Sequence, residues 1–275
     1  MRTANKEAVK ITAAAAVLSL ALAAPALAQD DALQRIMDAG EIVVAMEGTW
    51  SPWTYHDEND DLVGYDVEVA EAIADKLGVT AAFVEGEWDG LFAGLDSGRY
   101  DIVVNGVDVT DERKEKYDFT ESYARIRTAV MVSEDNDDIQ SFEDLSGKTT
   151  ANTISSVYAE IAEEYGASVT AVDDLNQTIE LLLQGRIDAT LNSEVTYLDY
   201  IKEHPDSGIK VAVYSQDANE IAIPVPKGEE SLTEAISEAI RELKADGTLT
   251  ELSEKYFGSD LSGSTASAET EEVPK

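Results

Sequence analysis

Cysteine is absent from this chain, histidine occurs only twice, and Lys plus Arg number 20 against 56 Asp plus Glu. Without cysteine there is no disulfide, no thiolate-bound zinc, no thiol nucleophile and no lipid anchor on an N-terminal Cys. The two histidines, His56 and His204, stand far apart with no ligand-spaced neighbour, so no transition-metal site is indicated. A formal charge of −36 with few basic residues argues against nucleic acid or an anionic membrane as partner, because a phosphate surface needs a stripe of Lys and Arg. With 6 Pro and 17 Gly the chain is neither collagenous nor of low complexity. What remains is 275 residues, 44% of them hydrophobic, enough for one large domain or two ordinary ones beneath an acidic, solvated surface.

Long apolar runs are missing too, with one short exception. Residues 1–28 divide into a basic start (Arg2, Lys6, Lys10), an apolar run from Ile11 to Leu22, and Ala26-Leu27-Ala28, the small-x-small pattern that signal peptidase reads. The run falls short of the ~20 residues a membrane span needs, and Pro25 interrupts its end. The segment therefore reads as an export signal cleaved after Ala28. With no lipobox Cys, the mature protein is expected free in a periplasm.

From Glu41 onward, short β-branched runs alternate with amphipathic stretches, which signals an α/β fold with mostly parallel sheets. Ile42 to Met46 reads as the first strand and Leu62 to Tyr65 as a second extended piece. Asp66 is expected to cap a helix whose apolar positions Val67, Ala70, Ile73, Ala74 and Leu77 share one face, with Gly78 closing it. Thr128 to Ser133 reads as an extended crossover, Ser155 to Tyr165 as a helix, and Ile221 to Val225 as a strand. Residues 259–275, rich in Ser, Thr, Gly and Glu, are expected to form a disordered tail.

An internal echo is the strongest organisational signal. Gly98-Arg99-Tyr100-Asp101-Ile102-Val103-Val104-Asn105 matches Gly185-Arg186-Ile187-Asp188-Ala189-Thr190-Leu191-Asn192 at Gly, Arg, Asp and Asn. It suggests two similar lobes with Asn105 and Asn192 at the carboxyl ends of corresponding strands, the edge where open α/β sheets bind ligands. The same pattern also describes an ordinary helix-to-strand junction, with Gly as C-cap and Asp in the turn. A calcium loop can be sketched from Asp57, Asn59, Asp61 and Glu68, but Leu62 stands where its sharp turn needs Gly.

The run Gly64-Tyr65-Asp66-Val67-Glu68-Val69 followed by Ala70-Glu71-Ala72-Ile73-Ala74 resembles the signature of family-three bacterial extracellular solute-binding proteins, the type II periplasmic receptors that serve amino-acid ABC importers. Trp88-Asp89-Gly90-Leu91, Thr110-Asp111-Glu112-Arg113, Asp246-Gly247-Thr248 and Lys255-Tyr256-Phe257-Gly258 follow in the same order, so the resemblance spans roughly residues 33–258. It implies a two-lobed type II binding-protein fold. Each lobe would be a mostly parallel sheet flanked by helices, joined by two crossover strands and closing on a ligand. Lobe 1 would comprise residues 29–126 and 217–258 and lobe 2 residues 127–216, with the hinge near Arg125 to Thr128 and Tyr214 to Ala218.

The resemblance also implies site residues. Arg113 matches the arginine that forks onto the ligand carboxylate, a geometry Lys cannot reproduce. Trp50 and Trp88 match aromatics that sandwich the ligand side chain. Asp108 falls where relatives often carry Ser and offers a carboxylate to the α-ammonium; Asn105 lies nearby, and Gly106 lets backbone approach closely. Thr153, Ile154, Ser155 and Ser156 precede a helix whose amides suit a carboxylate, with Thr153 or Ser155 equally an ordinary N-cap. Many relatives place Asp where Ser193 stands, so the ammonium role passes to Asp108, Glu47 or Glu194, or the ligand is not a standard α-amino acid. The expected partners are a free amino acid and the importer's membrane permease, with the receptor a monomer and no cofactor. Asn105, Thr153 and Asn192, polar and uncharged, favour a polar or sulfur-containing ligand such as cystine; Glu47 and Glu194 leave a basic one open. The rival is an enzyme of the same fold resembling cyclohexadienyl dehydratase, with Asp108 or Glu47 as acid.

Overall fold

The structure, a computed structural model, describes residues 31–263. The export signal expected in residues 1–28 and the segment beyond 263 lie outside the described residues.

In the first lobe, strand Glu41–Met46 runs parallel between Thr80–Glu85 and Ile102–Val103, with Val44 opposite both Phe83 and Ile102. Its alternating side chains explain helices on both faces. Ile42, Val44 and Met46 pack with Val69, Ile73, Ile236 and Ile240 from helices Tyr65–Leu77 and Glu230–Ala245, whereas Ala45 packs with Leu91 and Leu95 of helix Trp88–Asp96.

The second lobe orders its strands Ser168–Ala171, Thr149–Asn152, Thr190–Ser193, Thr128–Ser133, Ile209–Tyr214, the second and third linked by a parallel Thr150–Ala189 bridge. Thr128–Ser133 alone runs antiparallel to its neighbours. It enters straight from the first lobe, whereas the other strands return from helices. The segment expected only as a crossover is thus also a fully integrated strand. The crossovers themselves pair: Ala124–Ile126 lies antiparallel to Asn219–Ile221. The strand expected over Ile221 to Val225 is two pieces, because Pro224–Pro226 pairs instead with Tyr117–Phe119.

The sequence echo has a structural counterpart. Gly98 and Gly185 both take left-handed backbone conformations, at φ 67° and 65°. Asp101 Oδ2 then accepts from the amide of Val43, and Asp188 Oδ2 from the amide of Thr149, so each Asp ties its own strand to a neighbouring strand of its sheet.

The helix expected to be capped by Asp66 begins two residues earlier, at Tyr65. Its N-cap is Gly64, and Asp66 lies within the first turn, fully buried. Gly64 is required by contact: a Cβ there would stand 2.2 Å from the Trp53 carbonyl oxygen. Residues 259–263, expected within the disordered tail, are instead packed. Leu261 packs on the large core, its carbonyl accepts from the Arg125 amide at 2.8 Å, and its amide donates to Ser253 Oγ at 2.7 Å. One apolar side chain and a backbone pairing thus hold residues 259–263 in place, and residues 264–275 lie outside the described residues.

Candidate functional site

Between the lobes lies a cavity walled by both of them. Of the residues singled out by sequence, Arg113, Asp108, Trp50, Trp88, Gly106, Glu47 and Thr153 line it.

Arg113 sits on the short helix Asp111–Lys116, whose cap Thr110 accepts from the Arg113 amide at 3.2 Å. Only 9% exposed, its guanidinium donates to two main-chain carbonyl oxygens, Asp108 at 3.0 Å and Ser155 at 3.4 Å, and lies 5.3 Å above the Trp88 ring. Among the described residues it forms no salt bridge to a carboxylate, so a buried cation is oriented by neutral oxygens alone. Asp108, 5% exposed, lies in the loop that precedes this helix. Its carboxylate accepts from Asn219 Nδ2 at 2.7 Å. Burial pushes this carboxyl up to about 6, although Arg113 and the Asn219 bond pull it down.

Glu47, at the end of the first strand, is half-buried. Asn105 grips it twice, Asn105 Nδ2 donating to its carboxylate at 2.7 Å and Asn105 Oδ1 accepting from its amide at 2.8 Å. Burial raises the Glu47 carboxyl to about 7; the Asn105 bond opposes this, while Glu87, Asp89 and Asp174 add to it. Trp50 stacks on the fully buried Trp53 with centroids 5.3 Å apart and planes 20° apart. Gly106, at φ 55°, lets this pair close down, since a Cβ there would come within 2.7 Å of the Trp50 ring.

Several residues from the sequence reading do not line the cavity. Asn105 is fully buried behind Glu47 and holds it. Ser193 caps helix Glu194–Glu203, its Oγ accepting from the Thr196 amide and from Trp53 Nε1 at 3.3 Å. Ser155 is exposed, and its hydroxyl donates to Asp89 across the cleft. The cap of helix Val157–Glu164 is Ser156, not Thr153 or Ser155. Glu194 is likewise absent from the lining, because Arg127 takes its carboxylate through Nε at 2.9 Å and Nη2 at 2.6 Å. The residues of the calcium-like sketch are otherwise engaged: Asp57 Oδ1 accepts from the amides of Asn59 and Asp61, and Glu68 accepts from Lys255 and Tyr256.

Sequence reasoning missed Asn152, Tyr158, Asp174 and Thr178, which complete the second lobe's wall with Asn192. Asn152 ends the strand paired with Ser168–Ala171, and its amide donates to the Leu191 carbonyl at 2.7 Å while its Oδ1 is buried without a partner. Its place at a strand's carboxyl end was a usable signal. Asp174 carries none, since it reads as a plain helix cap and is one. Besides Arg113 and Ser155, the lobes meet where Ser51 Oγ donates to Asp199 at 2.7 Å and Trp53 reaches Ser193.

The family profile described as bacterial extracellular solute-binding proteins, family 3, matches residues 42–259. The L-cystine-binding protein TcyA of Bacillus subtilis is 40% identical over 82% of this chain and 85% of its own. A structure of an ancestral arginine-binding protein bound to arginine superposes with TM-score 0.75 at 36% identity, covering 80% of this chain and 99% of that one. The L-cystine solute receptor of Neisseria gonorrhoeae, in its unliganded open conformation, gives TM-score 0.59 at 41% identity, covering 84% and 98%. Similarity of shape and identity of sequence thus rank these two neighbours oppositely, as expected when lobe arrangement differs.

Proposed function

Since the chain belongs to the bacterial extracellular solute-binding proteins, family 3, we propose that it is the extracytoplasmic receptor of an amino-acid ABC importer, with L-cystine as ligand. The observation that carries this reading is the buried Arg113 guanidinium, bonded only to main-chain oxygens among the described residues, beside the buried Asp108 carboxylate. That pairing is complementary to a zwitterion. The ligand carboxylate sits on Arg113 and the start of helix Val157–Glu164, its ammonium on Asp108, and its side chain extends past Trp50 and Trp88 toward Glu47 and Asp174. Export after Ala28 puts the monomeric receptor in the periplasm, where the permease recognises the closed form. The lobes divide at the paired crossovers, with residues 29–126 and 217–258 forming one and 127–216 the other.

One observation favours a second ligand. Glu47, Asp108 and Asp174 outnumber Arg113 around the cavity, and a basic amino acid, with one carboxylate and two cationic groups, matches that excess. Calorimetric titration of the ligand-stripped protein with L-cystine, L-arginine and prephenate tests all readings. Micromolar or tighter cystine binding supports the first, and preference for arginine the second. Heat that continues with added prephenate, and no amino-acid binding, overturns the receptor reading for a dehydratase that uses Asp108 or Glu47 as acid.

A further inference from the structure

Asp66 is a fully buried carboxylate with no cationic partner among the described residues, and nothing in ligand binding requires it. An isolated buried carboxylate is costly unless hydrogen bonds compensate it, and burial does raise this one, to about 7, against the two bonds it accepts. Those bonds use different oxygens of the carboxylate. Oδ2 accepts from the Gly106 amide at 2.5 Å and Oδ1 from Tyr123 Oη at 2.9 Å.

Each partner leads to a different moving part. Gly106 lines the cavity under Trp50, two residues before Asp108, and the loop continues into the second crossover through Val109 N to Glu220 O at 2.9 Å. Tyr123 immediately precedes the first crossover strand, Ala124–Ile126. Its amide donates to the Ile221 carbonyl at 2.8 Å, and its carbonyl accepts from Tyr65 Oη at 2.9 Å. A residue needed only to fill space would be apolar; this side chain instead supplies two acceptors to two donors that belong to the cavity wall and the hinge.

We propose that Asp66 is a positioning residue joining the ligand cavity to the hinge: through Gly106 it fixes the wall that carries Trp50, and through Tyr123 it anchors the first crossover strand. Cavity wall and hinge strand then move as one piece when the lobes rotate. The proposal rests on the receptor reading for its effect on affinity but not for the physical link. It gives the acidic residue of the Gly64-Tyr65-Asp66 signature a role beyond folding.

The test compares wild type with Asp66→Ala, Asp66→Asn and Tyr123→Phe in two measurements. The first is amide hydrogen exchange over residues 104–109 and 121–126 of the protein alone. The second is calorimetric affinity for L-cystine and L-arginine. Asp66→Ala is expected to speed exchange in both segments together and weaken binding by about tenfold, the scale of a lost hydrogen bond to a charged group. Asp66→Asn, with an oxygen for Gly106 and an amide for Tyr123, is expected to stay within about threefold on both. Tyr123→Phe, outside the cavity lining and with the Asp66 carboxylate kept in place, is expected to speed exchange in both segments and weaken binding. If Tyr123→Phe lowers the melting temperature but leaves affinity and the 104–109 segment unchanged, Asp66 is merely structural and the proposal fails. Should Asp66→Ala not fold, Asp66→Asn and Tyr123→Phe carry the decision. Should wild type bind neither amino acid, the receptor reading fails, while joint or separate exchange of the two segments still decides the link.

Discussion

Asp108 ties ligand affinity to pH with a calculable sign. Burial has raised its carboxyl from 3.8 to about 6, a shift worth about 3 kcal/mol in favour of the protonated form. In the protein alone this costs stability: between about pH 4 and pH 6 the folded state holds a proton that the unfolded chain has released, so stability falls as pH rises through that window. Glu47, raised to about 7, acts in the same direction. A ligand ammonium placed on Asp108 reverses the balance by favouring the ionised carboxylate. If the bound state returns Asp108 to about its ordinary value, affinity is about tenfold higher at pH 7 than at pH 5, and binding at pH 6 releases about half a proton. Calorimetry at four pH values, in two buffers of different ionisation enthalpy, measures both. The ligand's first carboxyl and its ammonium hold their charges from pH 5 to 7, so the slope belongs to the protein. Constant affinity over that range would refute the ammonium assignment, as would an Asp108→Asn variant that keeps the wild-type slope.

Arg113→Lys is expected to weaken binding by about a hundredfold with little change in melting temperature, because an ammonium cannot present two parallel donors to a carboxylate; titration against wild type checks it. Asp199→Ala removes the acceptor for Ser51 on the far lobe, and is expected to speed ligand release by about fivefold in stopped-flow fluorescence while association changes little. With 56 acidic against 20 basic residues, mutual repulsion outweighs the exposed ion pairs, so raising NaCl from 0.05 to about 1 M is expected to raise the melting temperature by several degrees. A fall in that scan would show that the ion pairs dominate.

The α/β class, the strand starting at Ile42 and the helix ending at Gly78 were legible because periodicity and capping are local properties. What was not legible depended on distance. Asp66 looks like a helix cap from its neighbours, and only the chain's return at Gly106 and Tyr123 shows a buried carboxylate with two donors. The N-cap assignment slipped from Thr153 or Ser155 to Ser156 for a related reason. Four polar or β-branched residues in a row leave the first helical turn undetermined until Val157 and Ala162 find the second lobe's core. Glu194 failed as a ligand candidate because its partner, Arg127, lies between strands Ala124–Ile126 and Thr128–Ser133, 67 residues away in sequence. A charged residue near a cleft is a site residue only if nothing in the fold has already taken its charge.

The same criterion separates the two halves of the internal echo. Asp101 and Asp188 do one job in both lobes, so the repeat is preserved where it serves the fold. Asn105 and Asn192 diverge where the repeat reaches the cleft. Asn105 withdraws behind Glu47 and spends both ends of its amide holding that carboxylate, whereas Asn192 lines the cavity and turns its oxygen to the Ser193 amide. The first lobe therefore presents charge, through Glu47, Asp108 and Arg113, and the second presents mainly uncharged polar groups, through Asn152, Thr153, Thr178 and Asn192. A ligand bound first by its charges to one lobe leaves the other free to close over it with short, neutral hydrogen bonds. Among the described residues no ion pair joins the lobes, so the cost of reopening is set by few contacts such as Ser51 to Asp199.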